Sequence, residues 1–261
     1  MKNSIKNAVK HKMRGRCNIK EIIFYDSGIG GIALLNKTRE KARKESYIYF
    51  ADNENMPYGN KTQNQITSHV IKNLESVVKT TTKCVVIACN TITTKSISEI
   101  RRVFPETKIF GIEPEIKSAL KPRIKNALLI ATPKTCESAK EKLDILDTQN
   151  KITIHPAPLL AKTIEEKIGD KEAIYREIKK IKRAYPQKFQ SLILGCTHYA
   201  LVRDVFCYAF SEETKIFDGI NGTACNIAKS IQKEKIGFGS VKLVMTKENT
   251  KEKLKYVSLI N

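Results

Sequence analysis

Eight short apolar runs, each closing on small or polar residues, constrain this chain more than anything else in its 261 residues. They are EIIFYDSG (21–28), SYIYFAD (46–52), CVVIACN (84–90), KIFGIEP (108–114), ALLIATP (127–133), KITIHPAP (151–158), SLILGCTHY (191–199) and TKIFDG (214–219). β-Branched and aromatic side chains are common in them, and they read as buried strands. Between them lie stretches of helical patterning, such as GIALLNKTREKAR, TQNQITSHVIKNLESVVK, SAKEKLDIL and AIYREIKKIKRAY. Strands that alternate with helices build parallel sheets. Ligands of such sheets bind beyond the carboxyl ends of the strands. The polar residues closing each run are therefore the candidate site.

The pattern also repeats. Asp26 and Cys89 close two strands at nearly the interval that separates Thr132 from Cys196. VVIACNT and LILGCTH share an apolar strand, a small residue, a cysteine and then hydroxyl or amide groups. The expectation is an α/β fold of two pseudo-symmetric halves, with mainly parallel sheets facing each other across a cleft. The hydrophobic fraction of 41% is enough to build the cores such halves need.

Other features bound the function. No apolar stretch approaches the roughly 20 residues needed to span a bilayer. The first twenty residues are basic and lack the apolar segment of a secretory signal. They read as a frayed leader, with an amphipathic transit peptide as the alternative, so the cytoplasm is the expected compartment. The seven cysteines are odd in number and none stands in a C-x-x-C pair, which argues against a disulfide scaffold or zinc ribbon. A free cysteine is most often a small buried hydrophobe. The net charge of +20 attracts anions, nucleic acid among them. Its lysines are scattered, however, and no aromatic-interleaved or helix-turn-helix segment accompanies them. Nucleic-acid binding is at most a secondary expectation.

Cys89 in ACNT and Cys196 in GCTH each stand where a strand passes into a helix. Unpaired N–H groups and positive potential at a helix start lower a thiol pKa from about 8.5 and favour thiolate. His198, two residues after Cys196, is a proton partner by its spacing. Either motif alone reads more simply as a core cysteine, with His198 a satisfied core histidine. Two matching motifs in matching halves favour chemistry. Thiols on opposite sides of a cleft suit inversion of a stereocentre, one removing an α-proton and the other returning a proton to the opposite face. Without an electron-sink cofactor, aimed donors must stabilise the carbanion. Ser27, the loop after Gly28, Asn90, Thr91, Thr135 and Thr197 are suitable, and Asp26 and Glu165 could assist the thiols or bind an ammonium group.

Two further motifs carry alternatives. Gly28 to Ala33 fits a G-x-G-x-x-A dinucleotide pattern, with Asp52 at the distance of a ribose ligand. Asp26 before the first glycine would repel a pyrophosphate. A glycine turn that lets backbone approach a small amino acid explains the same residues. The PYG turn (57–59) would hold the Tyr58 hydroxyl and Gly59 near the cleft, or be an ordinary surface turn.

FYDSGIGG, FADNENMPYGNKT, VIACNT, GIEP, LIATPKT and LGCTHY, in this order, resemble the motifs of the glutamate racemases, in the aspartate/glutamate racemase superfamily. The resemblance runs from about Ile22 to the chain's end, and DSGxGG and PYG point to the glutamate branch. It implies a first domain of 1–112 with 219–261 and a second of 113–218, the C-terminal segment returning to the first. It implies no pyridoxal phosphate, other cofactor or metal. Cys89 matches the thiol that deprotonates D-glutamate, and Cys196 the one that deprotonates L-glutamate. Asp26 and His198 match residues assisting proton transfer, and Glu165 resembles a further site carboxylate. Asp26, Ser27, Tyr58, Gly59, Asn90, Thr91, Thr197 and His198 match substrate-binding positions, with Thr135 contacting the carboxylate as well. The implied substrate is glutamate, the implied assembly a homodimer, and the implied role a supply of D-glutamate for peptidoglycan.

The chain departs from the family pattern in places. Ala200 replaces a proline after His-Tyr, which predicts a less rigid loop around His198. Ile92-Thr93 replaces Ala-Ser, Glu141 a tyrosine, Gly219 a serine, and Pro156-Ala-Pro a Cys-Pro. None touches a proposed acid or base. Two rival readings are a nicotinamide-dependent oxidoreductase on the DSGIGG half and a basic binding protein on a non-catalytic racemase scaffold.

Overall fold

The computed structural model describes residues 20–147, 149–231, 237 and 239–260. The basic leader expected at 1–20 lies, but for Lys20, outside the described residues. The first part of the chain runs β1 (Glu21–Asp26), α1 (Ile32–Lys41), β2 (Ser46–Ala51), a 3-10 turn (Tyr58–Asn60), α2 (Gln63–Val77), β3 (Thr82–Ile87), α3 (Asn90–Val103) and β4 (Ile109–Gly111). Then follow α4 (Ile116–Ala119), β5 (Ala127–Ala131), α5 (Pro133–Leu146), β6 (Ile152–Pro156), α6 (Leu160–Lys167), α7 (Lys171–Arg183) and β7 (Ser191–Gly195). The chain closes with α8 (Thr197–Leu201), α9 (Arg203–Phe210), β8 (Lys215–Phe217), α10 (Ile220–Ser230), β9 (Val241–Met245) and α11 (Thr250–Leu259).

The strands form two sheets, ordered β4-β3-β1-β2-β9 and β6-β5-β7-β8, with every pairing parallel. All eight apolar runs are strands. β9 carries no continuous apolar signature because Lys242 divides VKLVM, of which only Met245 is buried.

Both faces of each sheet are covered, which is why the inner strands read as unbroken apolar runs. In β1, Ile22 and Phe24 join one core, and Ile23 and Tyr25 join another on the opposite face. In β5, Leu128 and Ile130 face one layer, and Ala127, Leu129 and Ala131 the other. Helices cover the faces through apolar residues at helical spacing. In α2, Ile66, Val70 and Leu74 are buried, and a Thr62–Gln65 capping box fixes the helix start just after the PYG turn.

Register aligns the strand ends that matter. Tyr25 pairs with Ile87, so Asp26 and Ala88 stand level, and Ala131 pairs with Gly195, so Thr132 and Cys196 stand level. In each sheet the strand before a cysteine pairs directly with the strand that begins its half: β3 with β1, and β7 with β5. The last strand, β9, lies in the sheet of β1–β4 rather than beside β8.

Candidate active site

The carboxyl ends of the two sheets meet. The loop after β1 touches the second half through Ile29, whose N–H donates to Glu165 Oε2 at 2.8 Å. The Thr197 hydroxyl donates to Asp26 Oδ2 at 3.4 Å, and Thr91 Oγ1 lies 3.0 Å from Thr132 Oγ1. The glycines of DSGIGG make this approach feasible. A Cβ on Gly28 would lie 2.4 Å from Glu165 Oε2, and one on Gly30 would lie 2.5 Å from His198 Nδ1. The dinucleotide alternative fails on the same contacts. The Gly28 N–H is taken by Asp26 Oδ1 at 2.7 Å and the Ile29 N–H by Glu165, so the donors a pyrophosphate needs are occupied. Asp52 is buried and bonded to Tyr25, Tyr58 and Asn55.

Cys89 caps the start of α3 and is 7% exposed. The Ile92 N–H points at its sulfur, and Ser27 Oγ lies 3.7 Å away. The expected low thiol pKa is corrected here. Burial, reinforced by the negative field of Asp26, pushes Cys89 up to about 12 and outweighs the help of the Ile92 and Ser27 donors. At neutral pH Cys89 therefore holds its proton. Asp26 is fully buried, and burial raises its carboxyl to about 6, against the lowering influence of His198 and the Gly28 N–H.

Cys196 occupies the equivalent position at the start of α8 and is 8% exposed. Its sulfur lies 3.8 Å from His198 Nδ1, and the far ring nitrogen of His198 donates to Glu165 Oε2 at 2.8 Å. Burial opposes charge on His198. The hydrogen bonds to Cys196 and Glu165 outweigh it and hold the imidazole pKa well above its ordinary value. Glu165 shows the same contest with the opposite sign. Burial would raise its carboxyl, yet the His198 contact, then Lys255 and the Ile29 N–H, bring it down to about 2. His198 sits in a helix rather than a loop, and Ala200 continues that helix and packs against the core.

The remaining sequence candidates gather around these groups. Thr91, Thr132 and Thr135 form a buried hydroxyl triangle, with Thr132 and Thr135 oxygens 3.0 Å apart. Gly59 lies against this triangle, since a Cβ there would meet Thr132 Cβ at 3.1 Å. Asn90 donates to the Ile112 carbonyl at 3.3 Å, and its buried Oδ1 has no partner among the described residues. The Tyr58 hydroxyl turns instead into the core, bonding Asp52 and lying 3.3 Å from Tyr25 Oη. In the sequence Thr132 reads only as a strand end, although its proximity to Thr135 on one helix start is visible there. Lys255 and Tyr256, both bonded to Glu165 Oε1, carried no local signal at all. Among the described residues no group of three or more His, Cys, Asp or Glu side chains is placed to hold a metal ion, and no helix is long and apolar enough to cross a membrane.

Comparison with known proteins shows the family. The Asp/Glu/Hydantoin racemase family model matches residues 31–221. A glutamate racemase of Clostridium perfringens strain SM101 is 32% identical over 213 residues, covering 80% of this chain and 82% of that protein. Another, from Clostridium novyi strain NT, is 30% identical over 243 residues, covering 89% and 93%. The crystal structure of a glutamate racemase isoform from Bacillus anthracis matches with a TM-score of 0.79 at 25% identity, covering 90% of this chain and 92% of that one. The fold also matches Escherichia coli glutamate racemase, solved with L-glutamate and an activator, at a TM-score of 0.80 and 21% identity over 93% and 95% of the two chains. The chain therefore belongs to the Asp/Glu/Hydantoin racemase family, in its glutamate racemase branch, and is an amino-acid isomerase.

Proposed function

We propose that the chain interconverts L- and D-glutamate with Cys89 and Cys196 as opposed acid and base, and that its D-glutamate feeds peptidoglycan synthesis in the cytoplasm. One observation carries the mechanism. Two cysteines stand at the starts of α3 and α8, at the carboxyl ends of β3 and β7, each with its own set of proton partners.

On the L side, Cys196 removes the α-proton while the His198 imidazolium, backed by Glu165, balances charge at its sulfur. Cys89, a held thiol, donates its proton to the opposite face of the same carbon. In the reverse direction Cys89 is the base. Asp26 is the buried carboxyl beside it: once ionised its field opposes thiolate at Cys89, and with its own pKa raised to about 6 it serves as the acceptor for that thiol's proton. The Thr91, Thr132 and Thr135 hydroxyls, with Ser27, supply donors for carboxylate oxygens and for the charge that develops on deprotonation. The unpartnered Asn90 Oδ1 is a ready acceptor for the α-ammonium group. Strand membership supports reading residues 1–112 with 219–261 as one domain and 113–218 as the other.

The test is the loss of circular dichroism from pure L- or D-glutamate without added cofactor, run in deuterium oxide to follow α-exchange. Aspartate and hydantoins serve as competitors. Faster turnover of either competitor would move the substrate assignment.

A further inference from the structure

Resting on the two-thiol reading, we propose that Lys255 of the C-terminal helix is a positioning residue that holds the Glu165 carboxylate square to His198. Glu165 lies on α6, and its carboxylate receives four donors from three other segments. Oε2 takes the Ile29 N–H at 2.8 Å and His198 Nε2 at 2.8 Å. Oε1 takes Lys255 Nζ at 3.1 Å and the Tyr256 hydroxyl at 3.2 Å. Lys255 also donates to the Glu165 main-chain carbonyl at 2.9 Å. One ammonium thus bridges the backbone and carboxylate of the same residue. That fixes the side-chain torsions of a long, otherwise rotatable glutamate and aims Oε2 at the imidazole.

The neighbours explain why this contact matters to proton transfer. His198 is faced by Cys196, Glu165 and Asp26. Glu165 is faced by His198, Lys255, Tyr256, Asp26 and Tyr49, while Lys162 and Glu166 on its own helix pair with each other at 3.8 Å. The carboxylate is thus flanked by two cations, one of which is the proton carrier. α11 is itself anchored. Asn249 caps its start, and Asn53, from the loop after β2, donates to Glu252 Oε2 at 3.0 Å. Of the lysines on this helix, Lys251 and Lys253 face solvent, and only Lys255 turns toward Glu165.

The experiment compares Lys255→Met, Lys255→Arg, Tyr256→Phe and Lys253→Met in the full chain, with melting curves for each. Lys255→Met should lower kcat about tenfold, the cost of losing one charged hydrogen bond, with the glutamate KM nearly unchanged. Its alkaline limb should move to lower pH, the lost aim of the Glu165 counter-charge outweighing the relief from removing the lysine's like charge near the imidazolium. Lys255→Arg should recover most of the rate. Tyr256→Phe should show a smaller loss in the same direction, and Lys253→Met should match wild type. An unchanged kcat and pH profile in Lys255→Met, beside a crippled Glu165→Gln, sinks this inference and leaves the two-thiol reading standing. A loss that Arg does not rescue and that tracks the melting temperature makes the contact merely structural and also overturns it. If Lys255→Met does not fold, the displaced pH limb must appear in Tyr256→Phe, and its absence there counts equally against the idea. A fully active Glu165→Gln would instead overturn the role given to Glu165 itself.

Discussion

The Cys89 and Cys196 sides occupy the same point of the same strand-to-helix unit, yet they are furnished differently. Around Cys89 stand a hydroxyl, a backbone N–H and a buried carboxyl near neutrality, and the thiol keeps its proton. Around Cys196 stands a charged chain of His198, Glu165 and Lys255. The repeated unit fixes where each sulfur lies, and the residues packed over it decide its protonation partners. The second chain spans both halves, because α6 and α8 supply Glu165 and His198 while the loop after β1 and α11 supply their donors.

The sharpest break of this comparison is removal of either sulfur. Cys89→Ser and Cys196→Ser should each lower racemisation by about a thousandfold or more, since each deletes an acid/base in one direction and its conjugate in the other. Normal turnover in either variant would remove that cysteine from the chemistry. His198→Gln and Asp26→Asn test whether the two sets of partners are equally necessary. Each should cost on the order of a hundredfold in kcat. A loss confined to one of them would make the site one-sided.

Gly30→Ala probes the packing between halves. Its Cβ would fall within 2.7 Å of Thr197 Oγ1 and nearer still to His198, so we expect impaired activity. The melting temperature should also fall, by the equivalent of about 1–3 kcal/mol of overpacking. An unaltered rate and melt would mean that the two halves are not held as described.

The smallest effects concern stability against pH, and the two carboxyls pull in opposite directions. Glu165, brought down to about 2, adds stability that is fully present above its ordinary value near 4.5 and disappears as pH falls through 2. Glu165→Gln should flatten that acid limb in melting curves. Asp26, raised to about 6, favours the fold only while protonated. Its contribution is complete below the ordinary value near 3.8 and is lost as pH rises through 6. Asp26→Asn should therefore gain melting temperature relative to wild type above pH 6, even as it loses activity. A parallel pH dependence for both variants would refute the contrast.

Much of this was legible in the sequence. Period and composition marked eight strands, of which the inner five are covered on both faces and have no polar alternation to hide them. The spacing of Asp26, Cys89, Thr132 and Cys196 pointed to strand ends as the candidate site. β9 was missed because Lys242 divides its short apolar run VKLVM.

The sequence by itself thus determined the alternating elements, the two sulfur positions and the short-range pair Cys196 and His198, all set by local periodicity. Only the tertiary structure decided that Cys89 keeps its proton, that Tyr58 turns inward to Asp52, and that α11 reaches back to Glu165. The physical reason is that desolvation and Coulomb energy depend on which distant elements come to enclose a group. No window of neighbouring residues carries that information.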